Sequence, residues 1–168
     1  EEFDETEWTE IEKTIDEAID EVQGFRADEG AVLAHDFTTR IENIQQLSEE
    51  VIELDVERLA QVRERIEKAI SDLKQNVDEN RFEQELMYYL EKLDITEEKV
   101  RLKNHLDYFL QALISEESNG KKLAFICQEI GREINTTGSK SNFAPMQKVV
   151  VQMKDELEKI KEQLLNVL

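Results

Sequence analysis

A single cysteine, Cys127, excludes a disulfide framework and any Cys-rich zinc site. One proline and five glycines are too few turn-formers for a many-stranded sandwich or barrel. No uninterrupted apolar run reaches the roughly 18 residues of a membrane-spanning helix, so no membrane partner is expected. Basic residues are scarce: 21 Lys and Arg face 40 Asp and Glu, a net charge of -19. Bulk electrostatics therefore cannot draw nucleic acid to this chain. Walker A, Rossmann, Ser-His-Asp, HExxH and EF-hand patterns are all missing. The sequence opens on Glu1-Glu2-Phe3-Asp4, without an initiator Met or a basic-then-apolar leader. The expectation is a piece of a longer cytoplasmic protein, in keeping with a lone thiol among apolar neighbours.

Helical periodicity fills the sequence instead. Trp8, Ile11, Ile15, Ala18 and Val22 step by three and four, and Gly24 is expected to end or bend that helix. Asp28-Glu29 places negative charge where a second helix start favours it, ahead of Phe37, Ile41, Ile44, Leu47 and Val51. Leu59, Val62, Ile66, Ile70, Leu73 and Val77 mark a third stripe, and Phe82, Leu86 and Tyr89 a fourth. Asp94 with Glu97 reads as a capping box opening a helix with Leu102, Leu106, Phe109 and Leu113 inside. Ser118-Asn119-Gly120 reads as a loop. Leu123, Ile126, Ile130 and Ile134 follow, on a helix expected to stop near Gly138. Met146, Val149, Met153, Leu157, Ile160, Leu164 and Val167 build the last helix, with Ser141 or Asn142 as its cap and Pro145 in its first turn. These stripes predict an all-α fold of long antiparallel helices in a helical bundle or coiled-coil-like arrangement. Tyr88 and Tyr89 are assigned to helix packing. The domain organisation expected is an acidic helical connector over 1–27 and a helical domain over 28–168.

Charge is unevenly spread. Residues 1–23 carry 11 acids and one base, whereas 118–142 carry four bases and two acids, the only locally basic stretch. In that stretch Glu129 and Glu133 lie four apart and share a helix face. Two carboxylates one turn apart can hold Mg²⁺ or Mn²⁺ through hard oxygens, with water completing the shell. Lys121, Lys122, Arg132 and Lys140 are the candidate phosphate contacts, and Asn135 and Ser139 add hydrogen-bonding groups. By spacing alone, the same glutamates also fit ordinary surface ion pairs on a solvated helix.

Four blocks carry a resemblance. Residues 120–141 read Gly-Lys-Lys-Leu-x-Phe-x-x-Gln-Glu-x-x-Arg-Glu-x-Asn-Thr-x-x-Ser-Lys-Ser. Asn80-Arg81-x-Glu83-Gln84-Glu85 precedes Asp94-Ile-Thr-Glu97-Glu98, which is followed by Arg101-Leu102 and His105. Glu29-Gly30-Ala31-x-Leu33 comes earlier, and Glu158-x-x-Lys161-Glu162-Gln163 closes the last helix. In order and spacing these blocks resemble the C-terminal region of the bacterial YicC-type endoribonucleases. Gly131 and Phe82 depart from the family pattern, and neither removes a charged group.

The resemblance implies a divalent-cation-dependent enzyme that cleaves RNA internally and assembles as a ring-like homohexamer, with the family's N-terminal domain outside this chain. Carried over by position, Glu129, Glu133 and His105 are the catalytic candidates. Glu129, Glu133, Asp94, Glu97 and Glu98 are the candidate ligands of Mn²⁺ or Mg²⁺. Lys121, Lys122, Arg132, Asn135, Ser139 and Lys140 are the candidate RNA contacts. The alternative is a non-catalytic helical oligomerisation module, which the strict stripe of 146–167 and the acidic charge favour.

Overall fold

The computed structural model describes residues 5–72, 79–115, 120–165 and 167, and every regular element among them is an α-helix. In chain order these are α1 (Glu5–Asp72), α2 (Glu79–Leu93), α3 (Thr96–Leu113), α4 (Gly120–Lys140) and α5 (Ala144–Leu164). The all-α expectation holds. Contacts divide the chain into Glu1–Phe37 and Thr38–Leu168. Leu73, Val77, Ser118 and Asn119 fall outside the described residues.

Several expected boundaries are corrected. The first two apolar stripes and the third as far as Ile70 belong to one helix: α1 passes through Gly24 without ending, and Asp28-Glu29 lies in its interior. A single helical glycine costs only about 1 kcal/mol relative to alanine, and the apolar step continues past Gly24 at Phe25. The capping box does not form either. The N-cap position of α3 is Ile95, with no side-chain cap bond. Asp94 turns to Thr96, accepting from its backbone N at 3.2 Å and its Oγ1 at 2.7 Å. At α5 the N-cap position is Phe143, so neither Ser141 nor Asn142 caps it, while Pro145 does sit in the first turn. Gln147 instead reaches back, donating to the carbonyls of Gly138 at 2.6 Å and Ser141 at 2.5 Å, and so satisfies the end of α4.

Within Glu1–Phe37, the row Trp8, Ile11, Ile15, Ile19, Val22 and Phe25 is solvent-facing, with exposures from 43% to 63%. Ala18 is exposed on this stretch as well.

Within Thr38–Leu168, α4 packs against both α3 and α5. The α4 stripe Leu123, Ile126, Ile130, Ile134 is buried, as is the α5 stripe from Met146 to Leu164. Two glycines let α5 approach α4: a Cβ on Gly138 would lie 3.0 Å from Val150 Cγ1, and one on Gly131 3.3 Å from Leu157 Cδ2. Cys127 is buried on α4, and desolvation pushes its thiol up to about 12, so it is a small core hydrophobe. Leu59, Val62 and Ile66 are only half-buried. Val62 and Ile66 line a groove of about 560 Å³ with Phe82, Leu86 and Tyr89 of α2. Tyr88 and Tyr89 are 61% and 54% exposed, which corrects their assignment to packing.

The buried row of α1 in this unit runs Ile41, Ile44, Ser48, Val51, Asp55 and Arg58. Its steps of three and four keep one face inward. Ser48, not Leu47, is the buried residue at the third step. The row ends on an ion pair. Arg58, 2% exposed, donates from Nε to Asp55 Oδ1 at 2.8 Å, from Nη2 to the Leu93 carbonyl at 2.9 Å and from Nη1 to the Lys140 carbonyl at 3.4 Å. Lys99 completes Asp55 from α3 at 2.8 Å. One guanidinium thus ties α1 to the ends of α2 and α4.

Truncating one member of a buried ion pair strands the other member and the carbonyls it served. Arg58→Ala is expected to lower the unfolding free energy by about 3–5 kcal/mol in urea denaturation. Arg58→Lys should recover little, because an ammonium does not reproduce the planar fork. A loss under about 1 kcal/mol for the alanine variant would place the three contacts among dispensable ones.

Candidate functional site

The chain's conspicuous polar constellation lies along the seam between α3 and α4. Glu98, in the first turn of α3, is 5% exposed. Its Oε1 accepts from Lys140 Nζ at 2.8 Å, while its Oε2 is buried with no hydrogen-bond partner. Lys140 also donates to the Asp94 carbonyl at 2.9 Å, so the last residue of α4 is folded back onto the α2–α3 turn. Asp94 is held below the usual carboxylate range, chiefly by the Thr96 hydroxyl, with Lys99 and Lys140 adding positive charge.

Glu133 enters the same seam from α4 and is 3% exposed. Arg101 stands between two carboxylates, 2.5 Å from Glu97 and 4.0 Å from Glu133. Burial is the main cause that pushes the Glu133 carboxyl up from its ordinary value. Arg101 and His105 oppose that rise, and Glu98 and Glu129 add to it. Glu133, Glu98, Arg101, His105 and Glu129 are therefore one electrostatic cluster drawn from two helices. Glu129 sits at its edge, 3.4 Å from Arg132 in a surface pair.

Among the described residues, no three His, Cys, Asp or Glu side chains gather as a metal-ligand set. The carboxylates of Glu97, Asp94 and Glu129 are engaged with Arg101, Thr96 and Arg132, and one oxygen of Glu98 with Lys140. The free Glu98 Oε2 and Glu133 remain. Glu133 has Arg101 at 4.0 Å, so these carboxylates are candidate oxygens only for a Mg²⁺-like ion, which is commonly held by one or two carboxylates with phosphate oxygens and water for the rest.

The other face of α4 points outward. Lys121, Phe125, Gln128, Arg132, Asn135 and Ser139 are all exposed and step by four and three along one stripe. The stripe holds two cations and three hydrogen-bonding side chains, and no carboxylate. Of the six residues expected to contact RNA, it gathers Lys121, Arg132, Asn135 and Ser139. Lys122 is turned toward α3, its ammonium 5.0 Å from the centre of the Tyr108 ring. Lys140 is turned inward onto Glu98.

Among the expected ligands, Asp94, Glu97 and Glu98 lie at the start of α3 and Glu133 faces them from α4. The sequence pairs Glu133 with Glu129 on spacing; the folded chain brings Glu98 and Arg101 to it as well. Asp55, Arg58 and Lys99, which hold this region together, were not among the residues singled out. Their signal was present: Asp55 and Arg58 fall in phase with Ile41, Ile44 and Val51, so charged residues occupy core positions.

Comparison with known proteins identifies the family. Residues 51–168 match the family model described as endoribonuclease YicC-like, C-terminal. A protein of Clostridioides difficile strain 630 named "Probable endoribonuclease YicC" is 35% identical over 163 residues, covering 95% of this chain and 56% of that protein. One of the same name from Haemophilus influenzae is 30% identical over 153 residues, covering 91% and 53%. The chain thus spans about half the length of the curated relatives it matches.

Burial of Glu133 has a consequence for stability. A carboxyl raised in the fold binds protons that the unfolded chain has lost, so stability falls as pH climbs from 4.5 through the folded value. Glu133→Gln keeps the shape and removes the charge. At pH 7 it is expected to raise the unfolding free energy by roughly 0.5–2 kcal/mol, a gain that shrinks on acidification toward pH 4. Urea unfolding of both forms at the two pH values measures this; a less stable variant at pH 7 would mean that Arg101 and His105 outweigh desolvation.

Proposed function

Because the chain belongs to the YicC-like endoribonuclease family, we propose that it is the helical part of an enzyme that cleaves RNA internally with the help of a divalent cation. The observation that carries this reading is the two-sided character of α4: an exposed acid-free stripe on one side, and on the other Glu133 facing Glu98, Arg101 and His105.

The roles follow from the geometry. Lys121 and Arg132 are 11 residues apart, about 16 Å along the helix, and neutralise separated phosphates of one strand. Gln128, Asn135 and Ser139 offer hydrogen bonds to sugar and phosphate oxygens between and beyond them. Cleavage needs a proton removed from the attacking hydroxyl, whether of water or the ribose 2'-OH, and one delivered to the departing oxygen. Glu133 is the group suited to exchange a proton, because burial brings its carboxyl closer to neutrality than an exposed glutamate. His105 and Arg101, on the facing helix, orient and neutralise it. Glu98 is the carboxylate this chain would offer Mn²⁺ or Mg²⁺, leaving Glu133 for the proton; when bound, such an ion polarises the phosphoryl group.

A second role, assembly, is favoured by the exposed apolar row from Trp8 to Phe25. We assign this row to self-association into the homo-oligomer that the family resemblance implies. Residues 1–23 carry 11 acids and one base, so like charges meet when two such helices pair. Added salt screens that repulsion. Light scattering of the full-length protein is expected to give a higher mass at high ionic strength than at low, and Ile15→Asp should lower the mass at both. An unchanged mass in that variant would remove the row from the interface.

For the chemistry, cleavage of a structured RNA by the full-length protein is the test. Glu133→Gln is expected to slow cleavage about 10²- to 10⁴-fold without weakening RNA binding, and chelation should abolish it until Mn²⁺ is restored. Activity that persists through both changes would overturn the roles given to Glu133 and the cation. Lys121→Ala with Arg132→Ala should weaken binding and reduce its salt slope by about 2.

A further inference from the structure

The stripe on α4 contains one residue that phosphate binding does not explain. Phe125 is 62% exposed. The larger apolar side chains elsewhere on this helix are not: Leu123, Ile126, Cys127, Ile130 and Ile134 are all within 2% of full burial. Phe125 therefore lies on the wrong side of α4 to serve the core. It stands four residues after Lys121, three after Lys122 and seven before Arg132, so cations lie on both sides of the ring along the same face. The neighbouring cation Lys122 is turned aside, its ammonium 5.0 Å from the centre of the Tyr108 ring of α3.

An isolated exposed phenylalanine among polar neighbours is a poor seat for a protein surface, which would want a contiguous apolar patch. It is a good seat for a flat aromatic ligand whose own charge is negative nearby. Charge complementarity selects the ligand. In a chain of net charge -19, this stripe presents Lys121 and Arg132 with no carboxylate in line, the Glu129 carboxylate reaching Arg132 from the side at 3.4 Å in a surface pair. A polyanion that also exposes aromatic rings is a single-stranded nucleic acid. A duplex keeps its base faces stacked internally and has none to offer a side chain on a helix surface.

We infer that Phe125 is a base-stacking platform and that α4 thereby selects single-stranded RNA over duplex. This inference rests on the RNA-binding reading of the same stripe. The ring takes one unstacked base while Lys121 and Arg132 hold phosphates on either side of it. Selection then comes from the strand's freedom to turn a base outward, not from base identity, since every base has a π-face.

The test uses the full-length protein with metal chelated, so that binding is read without cleavage. The probes are a fluorescently labelled 12-nucleotide oligouridylate, an abasic oligonucleotide of equal length and charge, and a 12-base-pair RNA duplex. Phe125→Ala is expected to weaken oligouridylate binding roughly 5- to 150-fold, the range for losing one stacked base. The salt slope should not change, because no phosphate contact is lost. Phe125→Trp should retain the affinity, and the abasic strand should bind the wild type and Phe125→Ala alike. Three results would overturn the inference: unchanged oligouridylate affinity in Phe125→Ala, an equal loss on the abasic strand, or a changed oligomeric mass, which would mark the ring as a subunit contact. Lys121→Ala with Arg132→Ala separates this inference from the reading beneath it. If that double variant binds weakly while Phe125→Ala binds normally, the stripe holds RNA without stacking. If neither variant changes binding, the stripe is not the RNA surface and both statements fall together.

Discussion

A guanidinium removed from water keeps its charge, so wherever Arg58 is buried it must be surrounded by acceptors. The acceptors it finds are Asp55 one turn back on its own helix and the last carbonyls of two others, Leu93 of α2 and Lys140 of α4. Terminal carbonyls have no partner within their helix, so a donor fork is the natural complement to two helix ends meeting at one point. The consequence reaches the surface. Holding the Lys140 carbonyl fixes where α4 stops, and the Lys140 side chain then falls on Glu98 and the Asp94 carbonyl. The α2–α3 turn and the end of α4 are thus positioned by the same buried charge.

That framework explains how two carboxylates can share a seam. Glu98 is neutralised on one oxygen by Lys140, leaving the other buried and unpaired. Glu133 has a more distant cation, Arg101 at 4.0 Å, which is also committed to Glu97. An arrangement designed only for stability would pair both carboxylates fully or replace them with apolar residues. Retaining one incompletely compensated carboxyl in a well-packed helical seam is the pattern that functional sites show, where a local cost is carried by a rigid surround.

Much of this was legible in the residues. The 3–4 stripes of α4 and α5 located their buried faces, because burial and helical period act on the same side chains. The carboxylates and cations of the seam fell inside the matched blocks. What could not be read was continuity and depth. Gly24 signals a stop only if some competing structure is better than helix, and with the apolar step resuming at Phe25 none is. Asp94 and Glu97 have capping-box spacing, but Thr96 offers Asp94 a nearer hydroxyl and Arg101 offers Glu97 a full charge, so tertiary and local partners win over the cap. Glu129 and Glu133 look alike by spacing. Their difference is rotational: Glu133 turns toward α3 and is sealed, while Glu129 remains at the rim beside Arg132. Spacing on one helix cannot show which of two neighbouring residues a second helix will cover.

The excess of acid gains a meaning from this arrangement. Screening at physiological salt limits electrostatic reach to about 8 Å, so a polyanion responds to the charge of the patch it touches, not to the net charge of the molecule. On a neutral or basic protein, a strand can bind in many registers and orientations with similar affinity. On this one, a strand moved off the proposed α4 stripe toward α3 would meet Glu129 and the carboxylates at the start of α3. In the proposed function, acidic surroundings on that side would make a modest basic stripe more selective, trading affinity for orientation. Were cleavage to occur at the cluster on the side of the same helix, as proposed, orientation would be the more valuable quantity, since a strand bound elsewhere on the surface would present no phosphorus to Glu133.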